Sequence, residues 1–138
     1  MSDALYHKRI LELAAEAEDA PVLQHPHATA RIDNPLCGDR VDAQVCIEDG
    51  LIQAASFKVR GCRLCEAAAM LIQSKVNDLP IEVWEEISAD FENMVRTGAP
   101  FPEEWPDAQI FAPVHNYKSR HDCPLLPAQA LNAALKQV

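Results

Sequence analysis

The sequence predicts an α+β fold: a small antiparallel three-stranded β-sheet with helices packed on one face. Two observations carry that expectation. Residues 41–48 and 51–60 alternate in polarity on either side of Asp49-Gly50, the strongest short hairpin signal. Residues 3–19, 62–77 and 80–97 instead have the composition or apolar spacing of helices. A meander with helices on one face is a layered arrangement that buries both.

The elements follow in chain order. Residues 3 to about 19 are rich in Ala, Leu and Glu, with Leu5, Ile10, Leu13 and Ala17 near helical spacing. Pro21 ends this helix, and Pro26 keeps the next stretch extended as a linker over 21–29. Residues 30–33 form a short edge strand before Asn34-Pro35. In the next strand Val41, Ala43, Val45 and Ile47 alternate with Asp42, Gln44, Cys46 and Glu48. After the Asp-Gly turn, Leu51, Ala55, Phe57 and Val59 alternate with Ile52, Ser56, Lys58 and Arg60. Gly61 stops that strand and a helix runs over 62–77. Pro80 opens another, with Trp84, Ile87, Phe91 and Val95 on one face and Gly98 closing it. Residues 99–116 carry four prolines and three aromatics, and read as ordered but irregular. A last helix starts near Cys123, where Pro124 is tolerated in a first turn.

The whole chain, 1–138, reads as one domain with an irregular insertion at about 97–116. Its formal net charge of −9 speaks against nucleic acid, which calls for a concentrated basic surface, and against an anionic membrane surface. No apolar run is long enough to span a bilayer. The N-terminal residues lack a charged-then-apolar signal, so a cytoplasmic protein is the simplest expectation.

There are 5 cysteines. An odd count does not suit a disulfide framework, and in a reducing compartment cysteines serve as core residues, metal ligands or nucleophiles. Three occupy junctions between elements. Cys37 shares a turn with Asp39, and Gly38 between them lets both side chains aim at one point. Cys62 stands where strand gives way to helix, and the helix dipole, with Arg60 and Arg63, favours its thiolate. Cys123 opens the last helix, three residues after Arg120. Three thiolates and a carboxylate suit tetrahedral zinc or the ligand shell of an iron–sulfur cluster, and their softness disfavours magnesium and calcium.

Other candidates have plainer readings. Cys46 lies mid-strand and is structural. Cys65 is one turn from Cys62 and could touch the same metal, but reads as a small packing residue. His25 and His27 flank a proline and read as solvated surface. His121, two residues before Cys123, is a candidate extra ligand or base.

Asn34-Pro35-Leu36-Cys37-Gly38-Asp39-Arg40-Val41 resembles the signature of the IscU/NifU N-terminal family of iron–sulfur scaffold proteins. Asp49-Gly50-Leu51-Ile52, Phe57 and Gly61-Cys62 continue the resemblance in order, and Cys123 with Leu126 and Ala130-Leu131 fits the family's third cysteine and final helix. The segment around 91–116 and Lys118-Ser119-Arg120 resemble the SufU branch. Asp122 stands where IscU proper has histidine, and the Leu-Pro-Pro-Val-Lys chaperone motif is absent. The family's N-terminal segment, which helps engage the desulfurase, is missing, and cysteine replaces the usual Ser or Ala at position 65.

The resemblance implies a scaffold or sulfur carrier more than a turnover enzyme. It implies a transient iron–sulfur cluster, of the [2Fe-2S] type, or Zn2+, held by Cys37, Asp39, Cys62 and Cys123. The implied partners are a SufS/IscS-like cysteine desulfurase and downstream cluster carriers or apo-proteins. Sulfur is expected to land on Cys123, because the long Pro-rich segment before it could leave it mobile. A zinc-dependent sulfur acceptor that relays persulfide without holding a cluster remains open beside the scaffold. A purely structural zinc module is disfavoured by Asp39, since such sites are closed by Cys and His.

Overall fold

The structure is a computed structural model that describes residues 7–18, 20–36 and 38–138. The first helix, α1, spans Lys8–Glu18 and buries Ile10, Leu13 and Ala14. Leu5, expected on the same helix, lies outside the described residues.

The sheet contains β1 (Ala28–Asn34), β2 (Asp39–Glu48), β3 (Leu51–Arg60) and β4 (Leu79–Pro80), antiparallel in that order. Three strands were expected and four are present among the described residues. The extra one has two residues, which leaves no periodicity to read. Pro80 is tolerated because β4 is an edge strand, where a missing N–H breaks no ladder on the open side. Edge strand β1 is also longer than the 30–33 expected, because His27 N–H already bonds to the Val45 carbonyl at 2.8 Å.

Asp49 and Gly50 both take positive φ, 53° and 78°, which fits the right-handed strand twist in a two-residue hairpin. The alternation in β2 is as expected: Val41, Ala43 and Val45 are fully buried. In β3 it fails at two residues: Ser56 is buried at 1% exposure, where it accepts the Leu23 N–H and donates to Gln44, and Ile52 is shifted by a bulge. Cys46 pairs with Ala54, but Ile47 pairs with Ile52, so Gln53 is an extra residue. This bulge flips the phase, and Ile52, expected beside the polar residues, is buried at 0% exposure.

Helices α2 (Arg63–Lys75) and α4 (Asp122–Leu135) cover the inner face of the sheet, and α1 packs on α2. Helix α3 (Ile81–Thr97) buries Trp84, Ile87, Phe91 and Val95, and ends at Gly98 with φ 80°, the left-handed cap that glycine adopts without strain. The expected irregular stretch contains a run of 3₁₀ turns, Pro106–Asn116. Its aromatics explain its order. Trp105 packs on Trp84 with centroids 5.7 Å apart, and Phe111 meets Phe91 edge to face at 5.5 Å. Among the described residues, no helix is long and apolar enough to cross a membrane.

Candidate metal centre

The site lies where three chain segments meet: the loop into β2, the β3–α2 junction and the start of α4. The loop is set by Asn34. Its side-chain oxygen accepts the Leu36 N–H at 3.0 Å and its carbonyl accepts the Gly38 N–H at 2.8 Å. Gly38 takes φ 78°, where a side chain would be strained. Cys37, expected as a ligand, lies outside the described residues.

Asp39 opens β2 and is only 7% exposed. Its carboxylate rests on Gly61: a Cβ on that glycine would stand 2.8 Å from Asp39 Cγ and 3.0 Å from Oδ1. Its other oxygen, Oδ2, is buried without a hydrogen-bond partner. A buried carboxylate oxygen left unpaired costs about 1–3 kcal/mol or more. A bound cation would satisfy it.

Cys62 is the N-cap of α2 and is half-buried. Cys123 lies in the first turn of α4 and is 3% exposed. The Cys62 thiol is lowered to about 7, first by the hydrogen bond from Cys123, then by the backbone N–H groups of Cys65 and Leu64, against burial and the Asp39 charge. Arg60 and Arg63 were expected to favour this thiolate, but neither is among the groups that set it. Arg63 instead faces Glu66 and holds its carboxyl down against burial, the larger effect, which raises it.

Ligand atoms of Asp39, Cys62 and Cys123 all lie within 4.8 Å of one another. Residues 39, 62 and 123, distant in sequence, thus converge on one point. Thiolates with one carboxylate are a donor set for zinc or an iron–sulfur cluster, and the unpaired Oδ2 fits the same purpose.

The NifU-like N terminal domain family matches residues 5–137. The chain belongs to this family. It is 26% identical over 135 residues to the iron–sulfur cluster assembly scaffold protein IscU of Thermotoga maritima, covering 97% of this chain and 94% of that protein. It is 24% identical over 131 residues to the zinc-dependent sulfurtransferase SufU of Bacillus subtilis, covering 94% of this chain and 88% of that one. The crystal structure of a nitrogen-fixing NifU-like protein (N-terminal) from Brucella abortus superposes with a TM-score of 0.91 at 29% identity, covering 98% of this chain and 94% of that one.

In this NifU-like domain the remaining sequence candidates fall into place. His121 is buried, and its Nε2 donates to the His115 carbonyl at 2.8 Å while its ring stacks on His115. That nitrogen is occupied, and His121 is not in the group of converging ligands. Asp122 precedes Cys123 in the chain and carries a second carboxylate. It turns away and accepts a 2.9 Å bond from Arg96, which also holds Glu92. Cys46 is half-buried and its thiol faces the His25 carbonyl at 3.6 Å, a structural role. His25 and His27 are exposed, as expected, although His27 Nδ1 accepts the Ile47 N–H at 2.9 Å. Arg120 is exposed on the 3₁₀ turn Lys118–Arg120. The residue whose role sequence reasoning missed is Gly61, read as the end of a strand and as part of the family signature but given no part in the site. Its place directly before Cys62 was the available signal.

The Arg96–Asp122 pair has side chains 37% and 48% exposed, so solvent weakens it. Asp122→Ala should therefore shift stability by no more than about 1 kcal/mol and leave zinc affinity within about twofold, since a solvated charge is screened from the site. A chelator-competition titration checks this. A large loss of affinity would return Asp122 to the site.

Proposed function

We propose that this domain is a scaffold on which iron–sulfur clusters are assembled, with Cys37, Asp39, Cys62 and Cys123 as the ligands. The observation that carries the reading is the convergence of Asp39, Cys62 and Cys123 on one point with Asp39 Oδ2 buried and unpaired. The similarity to the IscU of Thermotoga maritima supports it. Thiolates give a cluster strong soft bonds. Asp39 is the hard, exchangeable member of the set, which suits a site that must give up what it holds.

The sulfur would come from a cysteine desulfurase of the SufS/IscS kind, and the product would pass to cluster carriers or apo-proteins. We assign Cys123 as the acceptor. Its thiolate attacks the terminal sulfur of the donor's persulfide, a sulfur–sulfur bond forms, and the donor cysteine leaves as thiolate. Its thiol donates to Cys62, which can take up that proton as Cys123 attacks. Cys123 lies in the first turn of a helix and is nearly fully buried, so sulfur transfer calls for the start of α4 to open. The competing acceptor is Cys62, which is more exposed.

A second reading has its own support. The similarity to the zinc-dependent sulfurtransferase SufU of Bacillus subtilis favours a zinc-bound sulfur acceptor that holds no cluster. Anaerobic reconstitution with iron and sulfide separates the two. Visible absorption that survives desalting, and is lost in Cys62→Ser, is the result expected of a scaffold. Zinc retention without any such absorption would overturn it. For the acceptor, the chain is mixed with desulfurase and cysteine, trapped with an alkylating reagent within the first turnover, and mapped by mass spectrometry. The added sulfur is expected first on Cys123. Its early appearance on Cys37 or Cys62, with Cys123→Ser still accepting normally, would reverse the assignment.

A further inference from the structure

We propose that Cys62 and Cys65 are a redox pair in which Cys65 resolves a persulfide carried on Cys62 and releases its sulfur as sulfide. This rests on the sulfur-accepting reading above and supplies what that reading lacks. Sulfur delivered as persulfide is at the zero oxidation level, whereas a cluster is built from sulfide, two electrons richer.

The geometry comes from the start of α2. Cys62 is its N-cap, with extended backbone at φ −77° and ψ 171°, so its side chain is not committed to the helical direction. It stands directly before the first turn, where the backbone N–H groups of Cys65 and Leu64 favour its thiolate without a capping hydrogen bond. Cys65 is three residues on, on the same helical face. Residues three apart at a helix start have Cα atoms about 5 Å apart, inside the separation of about 4.4–6.8 Å that a disulfide needs. A Cys-x-x-Cys pair at a helix N-terminus is also the setting in which reversible disulfide chemistry is common.

Burial divides the labour. Cys62 is half-buried and open to an incoming sulfur, whereas Cys65 is 0% exposed and shielded from outside thiols. Its neighbours in the helix, Ala67, Ala68 and Ala69, fill the same core with plain methyl groups, so packing alone does not call for a thiol there.

Each step balances. Cys62 shares a hydrogen bond with Cys123, so its thiolate attacks the sulfane sulfur held on Cys123. The new bond is to Cys62 Sγ, the old one to Cys123 Sγ breaks, and Cys123 leaves as thiolate. Cys65 then attacks Cys62 Sγ. The Sγ–Sγ bond forms, the bond to the sulfane sulfur breaks, and that sulfur leaves with the electron pair as hydrosulfide, taking up the Cys65 proton. The sulfane sulfur gains two electrons, and the two thiols lose them as a disulfide. An external dithiol restores the pair by thiol–disulfide exchange. While the bridge stands, Cys62 cannot bind metal.

The test uses the full chain, reduced, freed of metal and reductant, and treated anaerobically with one equivalent of glutathione persulfide. Wild type should release free sulfide and give a Cys62–Cys65 disulfide by peptide mapping without reduction. In Cys65→Ser, sulfide release should fall at least about tenfold, and the added sulfur should stay on the protein. Cys65→Ala is a second variant should serine disturb the buried position, and circular dichroism checks that both fold. Equal sulfide release from wild type and both variants, or a bridge from Cys62 to another cysteine, would overturn the pair. A wild type that keeps its added sulfur would overturn the pair and leave the acceptor reading standing. No added sulfur or sulfide in any variant would overturn both.

Discussion

Gly61→Ala should remove most of the zinc affinity of the centre while the domain still folds. The added Cβ would lie 2.8 Å from Asp39 Cγ, 3.0 Å from Oδ1 and 3.2 Å from Asp39 Cβ. Contacts this close force a movement. Gly61 is not among the positive-φ residues, so alanine brings no backbone strain and the fault is confined to this contact. The carboxylate can yield only by swinging out of the converging group, or β2 by shifting from β1 at its first pair, Asn34 with Asp39. Overpacking of this kind costs about 1–3 kcal/mol, and displacing the support of a metal ligand lowers affinity about 10–100-fold. Competition against a chromophoric chelator measures the affinity, and melting of the metal-free chain measures the fold. Unchanged affinity would mean that Asp39 does not need its floor, or is not a ligand.

Much of this domain was legible in the sequence, for identifiable reasons. Asp49-Gly50 has one favoured geometry, so the hairpin followed directly. The helical face of Trp84, Ile87, Phe91 and Val95 was legible because four apolar residues at the right spacing have few other uses. What escaped was set by tertiary contact. The bulge at Gln53 follows from how β3 meets β2, and no local pattern announces it. The 3₁₀ turns of Pro106–Asn116 are held by Trp105 and Phe111 against α3, partners distant in sequence. Asp122 sits next to Cys123 in the chain, but a helix turns successive side chains about a third of a circle apart, and Arg96 was there to receive it. Cys123 was expected on a mobile segment because prolines precede it. Pro106 and Pro113 stand in the 3₁₀ run, which is anchored in the core by Ala108, Phe111 and Val114, and Cys123 is itself buried. The converging group was readable as a list of residues, because thiols and a carboxylate at element junctions have specific chemistry. Gly61 was not, because its role is to be absent from the space that Asp39 fills.

Asp39→Ala should make the metal-free protein more stable and the zinc-loaded protein less stable than wild type. In the metal-free chain Asp39 is 7% exposed and its Oδ2 has no partner, so folding strips water from a carboxylate oxygen and returns nothing. Removing that oxygen recovers about 1–3 kcal/mol. The cavity left by a carboxylate is small and offsets part of the gain. For a domain of this size the melting temperature should rise by about 2–4 °C for each kcal/mol gained. Asp39→Asn should not rise in the same way, because an amide of equal volume stays buried and unpaired. Zinc reverses the order. A ligand that binds only the folded state stabilises it by about 4 kcal/mol at a thousand times its Kd, and the variant lacks one of the donors that bring it there. The wild-type melting curve should therefore start below that of Asp39→Ala and finish above it as zinc is added. Thermal melts of both chains, after chelation and across a zinc titration, follow the crossing. A metal-free Asp39→Ala that melts below metal-free wild type would mean that the carboxylate holds the fold together by itself, and that its unpaired oxygen is not kept for a metal.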